Sequence, residues 1–401
     1  MGLDKVKEWL HYCGRCNSCK YLYRDYRPSC PAFEKFQWES YTSSGKVWIA
    51  YNLSKGKFPL TETIRDKIFS CTLCGNCTVQ CQQEISNHAL DIFEALREEC
   101  IEQGVGPIPI QEEFRKSVEK VHNPYGAQHE DRWADLDEKY FKSGAENLFF
   151  IGCTTALRNK DLLADILSVL DTLDVDYMLS KEEWCCGSPL LTTGQTNGAK
   201  HLAEHNLKLF KNLGVKRVIT ACAGCFRTLN SQYSKKFPSL NPEDEKPVEI
   251  VHLSQFLAKK LTKKHFRKDG PALTVTFHDP CHLGRHSEVY DEPRKVIELI
   301  PNVKLVEMPR NRENAWCCGA GAGVKSGFKD WAVEISEDRM QEALELNAEH
   351  EVQTMISTCP FCERNLTDAV QSLQEKSVPK MQNYRIMDLV QLVKRYLRTD
   401  L

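Results

Sequence analysis

The sequence predicts a chain of three parts, an α-helical, cysteine-rich N-terminal domain followed by two duplicated α/β domains, each built on a parallel sheet. Three observations carry this prediction. A five-cysteine pattern occurs twice: Cys153, Cys185-Cys186 and Cys222-x-x-Cys225, then Cys281, Cys317-Cys318 and Cys359-x-x-Cys362. Matching cysteines Cys153 and Cys281, Cys185 and Cys317, Cys222 and Cys359 are offset by 128, 132 and 137 residues, the small drift expected of a duplicated unit. From Asn147 the pattern becomes short apolar runs alternating with helical stretches, whereas the first hundred residues show helical periodicity and nine cysteines.

In the N-terminal part, Leu90, Phe93, Leu96 and Ile101 fall on one face of a predicted helix. Gly104, Gly106, Pro107 and Pro109 break the pattern, and the polar stretch that follows reads as a linker. Four apolar runs then each lead into a cysteine: Leu148 to Ile151 into Cys153, Val215 to Thr220 into Cys222, Leu273 to Phe277 into Cys281, and Thr354 to Ser357 into Cys359. Lys160 to Leu173, Ala199 to Leu213, Glu292 to Leu299 and Trp331 to Ala348 are the helices expected between them. In parallel sheets ligands collect beyond the carboxyl ends of strands, where these cysteines begin. The expected extents are 1–110 for the helical domain, 111–145 for the linker, and 146–265 and 266–401 for the α/β domains.

Nineteen cysteines in 401 residues exceed ordinary usage, in a chain too large to need disulfide staples. The first residues show no secretory pattern, which points to a reducing cytoplasm where cysteine spacing reads as metal binding or catalysis. Lys and Arg number 53 against 55 Asp and Glu, with no block of one sign, so neither nucleic acid nor an anionic membrane is implied as partner. No run reaches the roughly 18–20 apolar residues of a membrane span, so any work at a membrane would be through a partner on its inner face. Five thiolates per copy are more than the four a structural zinc takes, and a cluster of several irons fits better.

Near the N-terminus, Cys13-x-x-Cys16-x-x-Cys19 precedes Cys30-Pro31, and Cys71-x-x-Cys74-x-x-Cys77-x-x-x-Cys81 follows. This arrangement resembles that of two-cluster ferredoxins, in which three close cysteines bind one cubane [4Fe-4S] cluster and the distant fourth ligates the other. The resemblance implies one cluster on Cys13, Cys16, Cys19 and Cys81 and another on Cys71, Cys74, Cys77 and Cys30. Cys30 stands further from Cys19 than that pattern has it, and Gln82 replaces the proline after Cys81, so crossed and uncrossed pairings both stand. Zinc ribbons are the structural alternative.

The twofold pattern around Trp-Cys-Cys-Gly resembles the cysteine-rich CCG domain of heterodisulfide reductase catalytic subunits. That domain is shared with iron-sulfur subunits of glycolate, lactate and anaerobic glycerol-3-phosphate dehydrogenases. With the N-terminal pair, the whole chain resembles a fused heterodisulfide reductase catalytic subunit. The resemblance implies that Cys153, Cys185, Cys186, Cys222 and Cys225, and likewise Cys281, Cys317, Cys318, Cys359 and Cys362, each hold a noncubane [4Fe-4S] cluster and form the catalytic sites. Two cubane and two noncubane clusters would use 18 of the 19 cysteines, leaving Cys100 on the apolar helix face as a structural residue.

Several further residues admit two readings. Gly187, Gly319 and Gly321 follow the cysteine pairs and are expected to bring backbone N–H groups close to a cofactor; no Lys-Ser/Thr follows at phosphate-loop spacing. Trp184 and Trp316 either shield the clusters or simply pack. His278, His282 and His286 surround Cys281 and either deliver protons or bond to backbone. Lys325 either neutralises a substrate anion or sits on the surface.

The leading functional expectation is an iron-sulfur oxidoreductase whose cubanes feed paired noncubane clusters that reduce a disulfide, as in anaerobic metabolism such as methanogenesis. Dividing a two-electron cleavage between two one-electron centres removes the need for a separate nucleophilic cysteine. The alternative is a non-catalytic relay from a flavin dehydrogenase to a quinone or another carrier. No GxGxxG follows a strand, so flavin is expected on a partner, as is any haem of a membrane cytochrome. A redox-silent zinc scaffold is the third class.

Overall fold

The computed structural model describes residues 2–240 and 248–398; residues 241–247 and 399–401 of the expected α/β domains lie outside them. The N-terminal part is helical, with helices Pro31–Phe36, Ser43–Ser54, Glu62–Phe69, Asn76–Gln80 and Ala89–Glu102 joined by short 3-10 turns. Thr42 and Thr61 start two of these by accepting the N–H groups of Gly45 and Ile64, which would otherwise lack partners. Ala89–Glu102 is the spine of this part. Its Ile92, Phe93, Leu96 and Cys100 are buried in one apolar cluster with Leu3, Val6, Ile68 and Phe69.

Residues 111–121, expected to belong to the linker, lie in a helix from Pro109 to Val121. Pro109 begins this helix instead of breaking it: at the first helical position the missing N–H costs nothing and the fixed φ already suits the helix. Gln111, Val118 and Val121 are buried. Gln111 donates to Gly323 O at 3.0 Å and accepts at its own carbonyl from Gln195, so the helix is wedged between the two α/β units.

The first α/β unit contains β1 (Asn147–Phe149), β2 (Tyr177–Met178), β3 (Arg217–Thr220) and β4 (Glu249–His252), all parallel, in the order β2-β1-β3-β4. The second contains β5 (Leu273–Phe277), β6 (Val303–Leu305), β7 (Thr354–Ser357) and β8 (Arg385–Asp388), parallel in the order β6-β5-β7-β8. The identical topology is what duplication predicts. It extends to detail: His252 with Gln255, and Asp388 with Gln391, form capping boxes at the start of the helix after β4 and after β8.

The four apolar runs recognised in the sequence are the inner strands β1, β3, β5 and β7. The outer strands span two to four residues, too short for a periodic signal, and β4, β6 and β8 are less buried than the inner ones. β1 ends at Phe149, before the expected Ile151, because the chain turns at Gly152 (φ +77) to start the Cys153–Arg158 helix. One apolar cluster joins Phe149, Ile151 and Ile219 to Val275, Phe277 and Ile356, so the two units share a core. Among the described residues no helix is long and apolar enough to cross a membrane.

The three parts are joined by buried polar contacts. The Arg97 guanidinium, fully buried on the Ala89–Glu102 helix, donates to the carbonyls of Ile68, Phe69 and Cys71, to Thr192 in the first α/β unit and to Ala322 in the second. One turn before it, buried Glu94 meets Arg227 at 3.1 Å and Lys236 at 2.9 Å. Gly194 approaches the same helix so closely that a Cβ would stand 2.5 Å from the Arg97 carbonyl carbon.

Arg97→Leu removes the donor from five buried carbonyls and is expected to destabilise the protein by about 3 kcal/mol or more, read as a drop in unfolding midpoint. Burial alone would raise the Glu94 carboxyl, but Lys236 and Arg227 outweigh burial and hold it at about 2. Its contribution is therefore fully present above the ordinary value of 4.5 and disappears as pH falls toward 2. Glu94→Ala should lower the unfolding midpoint at pH 7, and the gap from the parent protein should narrow on acidification below about pH 4.

Candidate metal centres

The topology carries the first and the fourth cysteine of each five-cysteine set past the carboxyl end of an inner strand. Cys153 opens a helix after β1, Cys222 caps the helix Ala223–Arg227 after β3, Cys281 lies past β5, and Cys359 caps the helix Pro360–Glu375 after β7. The paired cysteines arrive on loops that turn sharply at the next residue. Gly187 (φ +84) and Gly319 (φ +79) adopt the left-handed backbone that a side chain resists. Each directs its N–H back at the first cysteine of the pair, Gly187 to Cys185 Sγ at 3.4 Å and Gly319 to Cys317 Sγ at 3.3 Å. At Gly319 a Cβ would stand 2.3 Å from Ala332 O, so the position admits only glycine. Gly321 is in close contact too, its notional Cβ 3.0 Å from Thr72 O in the N-terminal part.

In the first set, Cys153 Sγ lies 3.8 Å from Cys185 Sγ, Cys186 lies against Cys225, and Cys225 against Cys222. In the second, Cys317 meets Cys281 and Cys318, Cys318 meets Cys362, and Cys362 meets Cys359. The sets also touch each other and the N-terminal part. Cys222 of the first lies against Cys359 of the second, and Cys317 against Cys74. Apart from Cys281, which is half-buried, these ten residues are buried.

The eight N-terminal cysteines form two groups. A cavity is lined by Cys30, Cys71, Cys74 and Cys77, with Lys46 at its wall. Cys30 stands at the N-cap position of the Pro31–Phe36 helix. Cys13 neighbours Cys16 and Cys81, and Cys19 neighbours Cys13 and, across the boundary between the groups, Cys30. Cys81 thus stands beside Cys13, and Cys30 beside Cys71, Cys74 and Cys77. Cys16 is the exposed member of the eight.

The chemistry of these donors suits iron-sulfur clusters. Every set offers soft sulfur ligands in four or five copies, with backbone N–H groups aimed at several of them. Burial raises the thiols, Cys19 and Cys30 to about 11, and Cys77 well above its ordinary value with neighbouring thiols adding to the effect. Those three thiols are therefore protonated without metal, and metal binding to them releases protons.

Residues beyond the cysteines complete the surroundings. Trp316 is buried, donates to Ile335 O at 2.9 Å, and lies beneath Arg310. Trp184 is held between the rings of His122 and His205, with centroids 3.7 and 3.5 Å away. His278 lies within 4.8 Å of Cys318 and Cys362, and His282 and His286 within the same distance of Cys281. Burial first, then the Arg227 charge, lowers His282 to about 3 and holds His286 well below its usual range, so both rings are neutral at physiological pH. Lys325 is neither free nor fully exposed: it bonds Asn365 Oδ1 at 2.6 Å and pairs with Asp368.

Sequence reasoning missed several residues that hold the sites. Buried Arg285 donates to Cys74 O at 2.7 Å and to Ala315 O at 2.6 Å, tying the N-terminal ligand loop to the second cysteine pair. Glu183 accepts from Ile151 N and Gly152 N and pairs with buried Arg132, fixing the turn before Cys153. Tyr233 donates to Cys186 O at 2.9 Å. None belongs to a local motif; only their position a few residues from a cysteine singles out Glu183 and hints at Arg285.

Comparison with known proteins agrees with this arrangement. Residues 9–85 match the 4Fe-4S dicluster domain, and residues 147–230 and 275–367 each match the cysteine-rich domain. A Methanosarcina barkeri protein named as one of the subunits of dihydromethanophenazine:CoB--CoM heterodisulfide reductase is 36% identical over 96% of this chain and 93% of its own length. A Methanothermobacter marburgensis protein named as one of the subunits of fumarate reductase (CoM/CoB) is 29% identical over 96% of this chain and 72% of its own. The EtfAB:quinone oxidoreductase of Syntrophomonas wolfei is 28% identical over 79% of this chain, which spans 45% of that protein. A solved Helicobacter pylori hypothetical protein shares the fold, with a TM-score of 0.55 and 13% identity over 87% of this chain and 67% of its own. The chain is an iron-sulfur oxidoreductase subunit and belongs to the same family as the heterodisulfide reductase protein of Methanosarcina.

Proposed function

We propose that this chain is the subunit in which electrons pass through two cubane [4Fe-4S] clusters to two noncubane [4Fe-4S] clusters, and that a disulfide is reduced between the latter. Cys13, Cys16, Cys19 and Cys81 would hold the first cubane, and Cys30, Cys71, Cys74 and Cys77 the second. Each five-cysteine set would hold one noncubane cluster, and the domains would extend over 1–110, 146–265 and 266–401. The observation that carries this reading is the chain of contacts from Cys19–Cys30 to Cys74–Cys317 to Cys359–Cys222, which sets all four cysteine groups in one series.

When bound, such clusters supply one electron at a time, so two adjacent five-cysteine sets match a two-electron bond cleavage. The protein's own groups hold and insulate. Gly187 and Gly319 donate N–H groups to thiolate sulfur, which stabilises its negative charge. Arg285 keeps the Cys74 loop seated on the second set. The neutral rings of His282 and His286 offer hydrogen bonds without adding charge. The relatives named for CoB--CoM heterodisulfide support a mixed thiol disulfide as the substrate class, and a flavin or haem subunit, including a membrane cytochrome, would be the electron donor. A second reading, a relay to quinone, draws on the relative named EtfAB:quinone oxidoreductase.

Anaerobically purified protein is expected to contain about 16 irons per chain, four for each of four clusters, and to give a paramagnetic signal that changes when the oxidised protein meets coenzyme M. About 8 irons, or a full complement indifferent to any thiol, would sink the reductase reading and leave the relay. Gly319→Ala should cost about four irons by displacing the Cys317–Cys318 loop, whereas Gly14→Ala, where a Cβ meets nothing within 4 Å, should leave the iron content unchanged.

A further inference from the structure

Among the described residues, seven large apolar side chains are exposed, and six of these are aromatics lying between Tyr12 and Trp48. Tyr26 is 84% and Trp38 72% exposed. The stretch between Tyr12 and Tyr21 carries Cys16, the one exposed cysteine of the chain, and its Arg15 lies on the Trp48 ring. Their backbone is also unusual. Arg15, Asn17, Arg24 and Tyr26 all have φ between 52° and 66°, a left-handed conformation that non-glycine residues resist and that is common at functional surfaces.

Some of the cations beside these rings are paired with carboxylates and others are not. Arg27 is neutralised by Asp25, and Lys20 by Glu39. Arg15, Arg24 and Lys55 have no carboxylate partner among the described residues and lie instead on aromatic faces: Arg15 3.7 Å above Trp48, Arg24 5.0 Å from Tyr23, and Lys55 5.8 Å from Tyr51. Trp48 and Tyr51 stack at 5.2 Å, so Arg15, Trp48, Tyr51 and Lys55 form a continuous cationic and aromatic strip. Tyr, Trp and Arg are the residues enriched where protein partners bind, and unpaired cations select an acidic partner.

We propose that this surface is the docking site of an electron-carrier protein with an acidic face, which delivers electrons at the Cys16 edge. This rests on the reading that Cys13, Cys16, Cys19 and Cys81 hold a redox cluster. One electron leaves the carrier and reduces the chain; no bond is made or broken. A bilayer would also accept aromatic and basic residues, but it supplies no electron to the exposed cysteine.

The test compares reduction of the anaerobic holoprotein by an acidic protein donor, flavodoxin hydroquinone, with reduction by a small donor, reduced methyl viologen. The variants are Trp48→Ala, Arg24→Asp and Tyr26→Asn, the last two chosen because Asp and Asn tolerate the left-handed backbone. Lys268→Asp, an exposed charge change on the second α/β unit, serves as control. With iron content unchanged, the three variants should slow flavodoxin about tenfold or more and leave viologen and the control unaffected, and Arg24→Asp should also flatten the fall in rate as salt rises from about 0.01 M to about 1 M. Equal flavodoxin rates in all variants, without salt dependence, would overturn this proposal alone. The same holds if the variants lose binding to vesicles of anionic lipid while flavodoxin rates stay unchanged. Protein without iron would overturn both this proposal and the function on which it rests.

Discussion

Five backbone carbonyls from three parts of the chain converge on the guanidinium of Arg97. A planar fork with five N–H donors is the one side chain able to satisfy so many acceptors at once. Burial lowers Arg97 to about 10, so it is still charged at neutral pH. The acceptors include Cys71 O, on the loop that begins the second cysteine run, and Ala322 O, in the glycine loop after Cys317-Cys318. The same contact that joins the domains therefore sets the spacing between cysteine groups. Arg285 repeats the device on the other side of the Cys74 loop, and Gln111 does so from the helix that the sequence presents as linker.

That rigidity has a functional reading. Electron transfer between buried centres depends on fixed separation, and the contacts of Cys74 with Cys317 and of Cys222 with Cys359 lie between domains, where relative motion is otherwise the default. The shared apolar core of the two sheets, with the Gln111 helix wedged beside it, removes that freedom. Exposure falls along the same series, from Cys16 at the surface to the buried cysteines between the α/β units. The most exposed aromatic residues lie at its open end.

What can be read from the sequence is what is encoded locally. Inner strands β1, β3, β5 and β7 are continuous apolar runs, and the duplicated Trp-Cys-Cys-Gly segments reveal the repeat without any three-dimensional knowledge. Pairing of Cys30 and Cys81 is not legible, because spacing along the chain does not say which group a distant cysteine joins; the fold brings Cys30 to Cys71, Cys74 and Cys77. Arg97, Arg285 and Glu183 are invisible for the same reason, since their partners are carbonyls and N–H groups far away in sequence. Pro109 misleads because proline breaks a helix only from its second turn onward. The partner of Lys325, Asp368, stands 43 residues later, so their ion pair is not legible in the sequence either.

The central claim is that four cysteine groups stand in one series, with crossed pairing in the N-terminal part and the two five-cysteine sets adjacent at its far end. Iron-edge anomalous diffraction from crystals of the anaerobically purified protein tests it directly. The account predicts four iron peaks in the order Cys13/Cys16/Cys19/Cys81, Cys30/Cys71/Cys74/Cys77, second five-cysteine set, first five-cysteine set. Iron bound by Cys13, Cys16, Cys19 and Cys30 together, or no iron at either five-cysteine set, would contradict it.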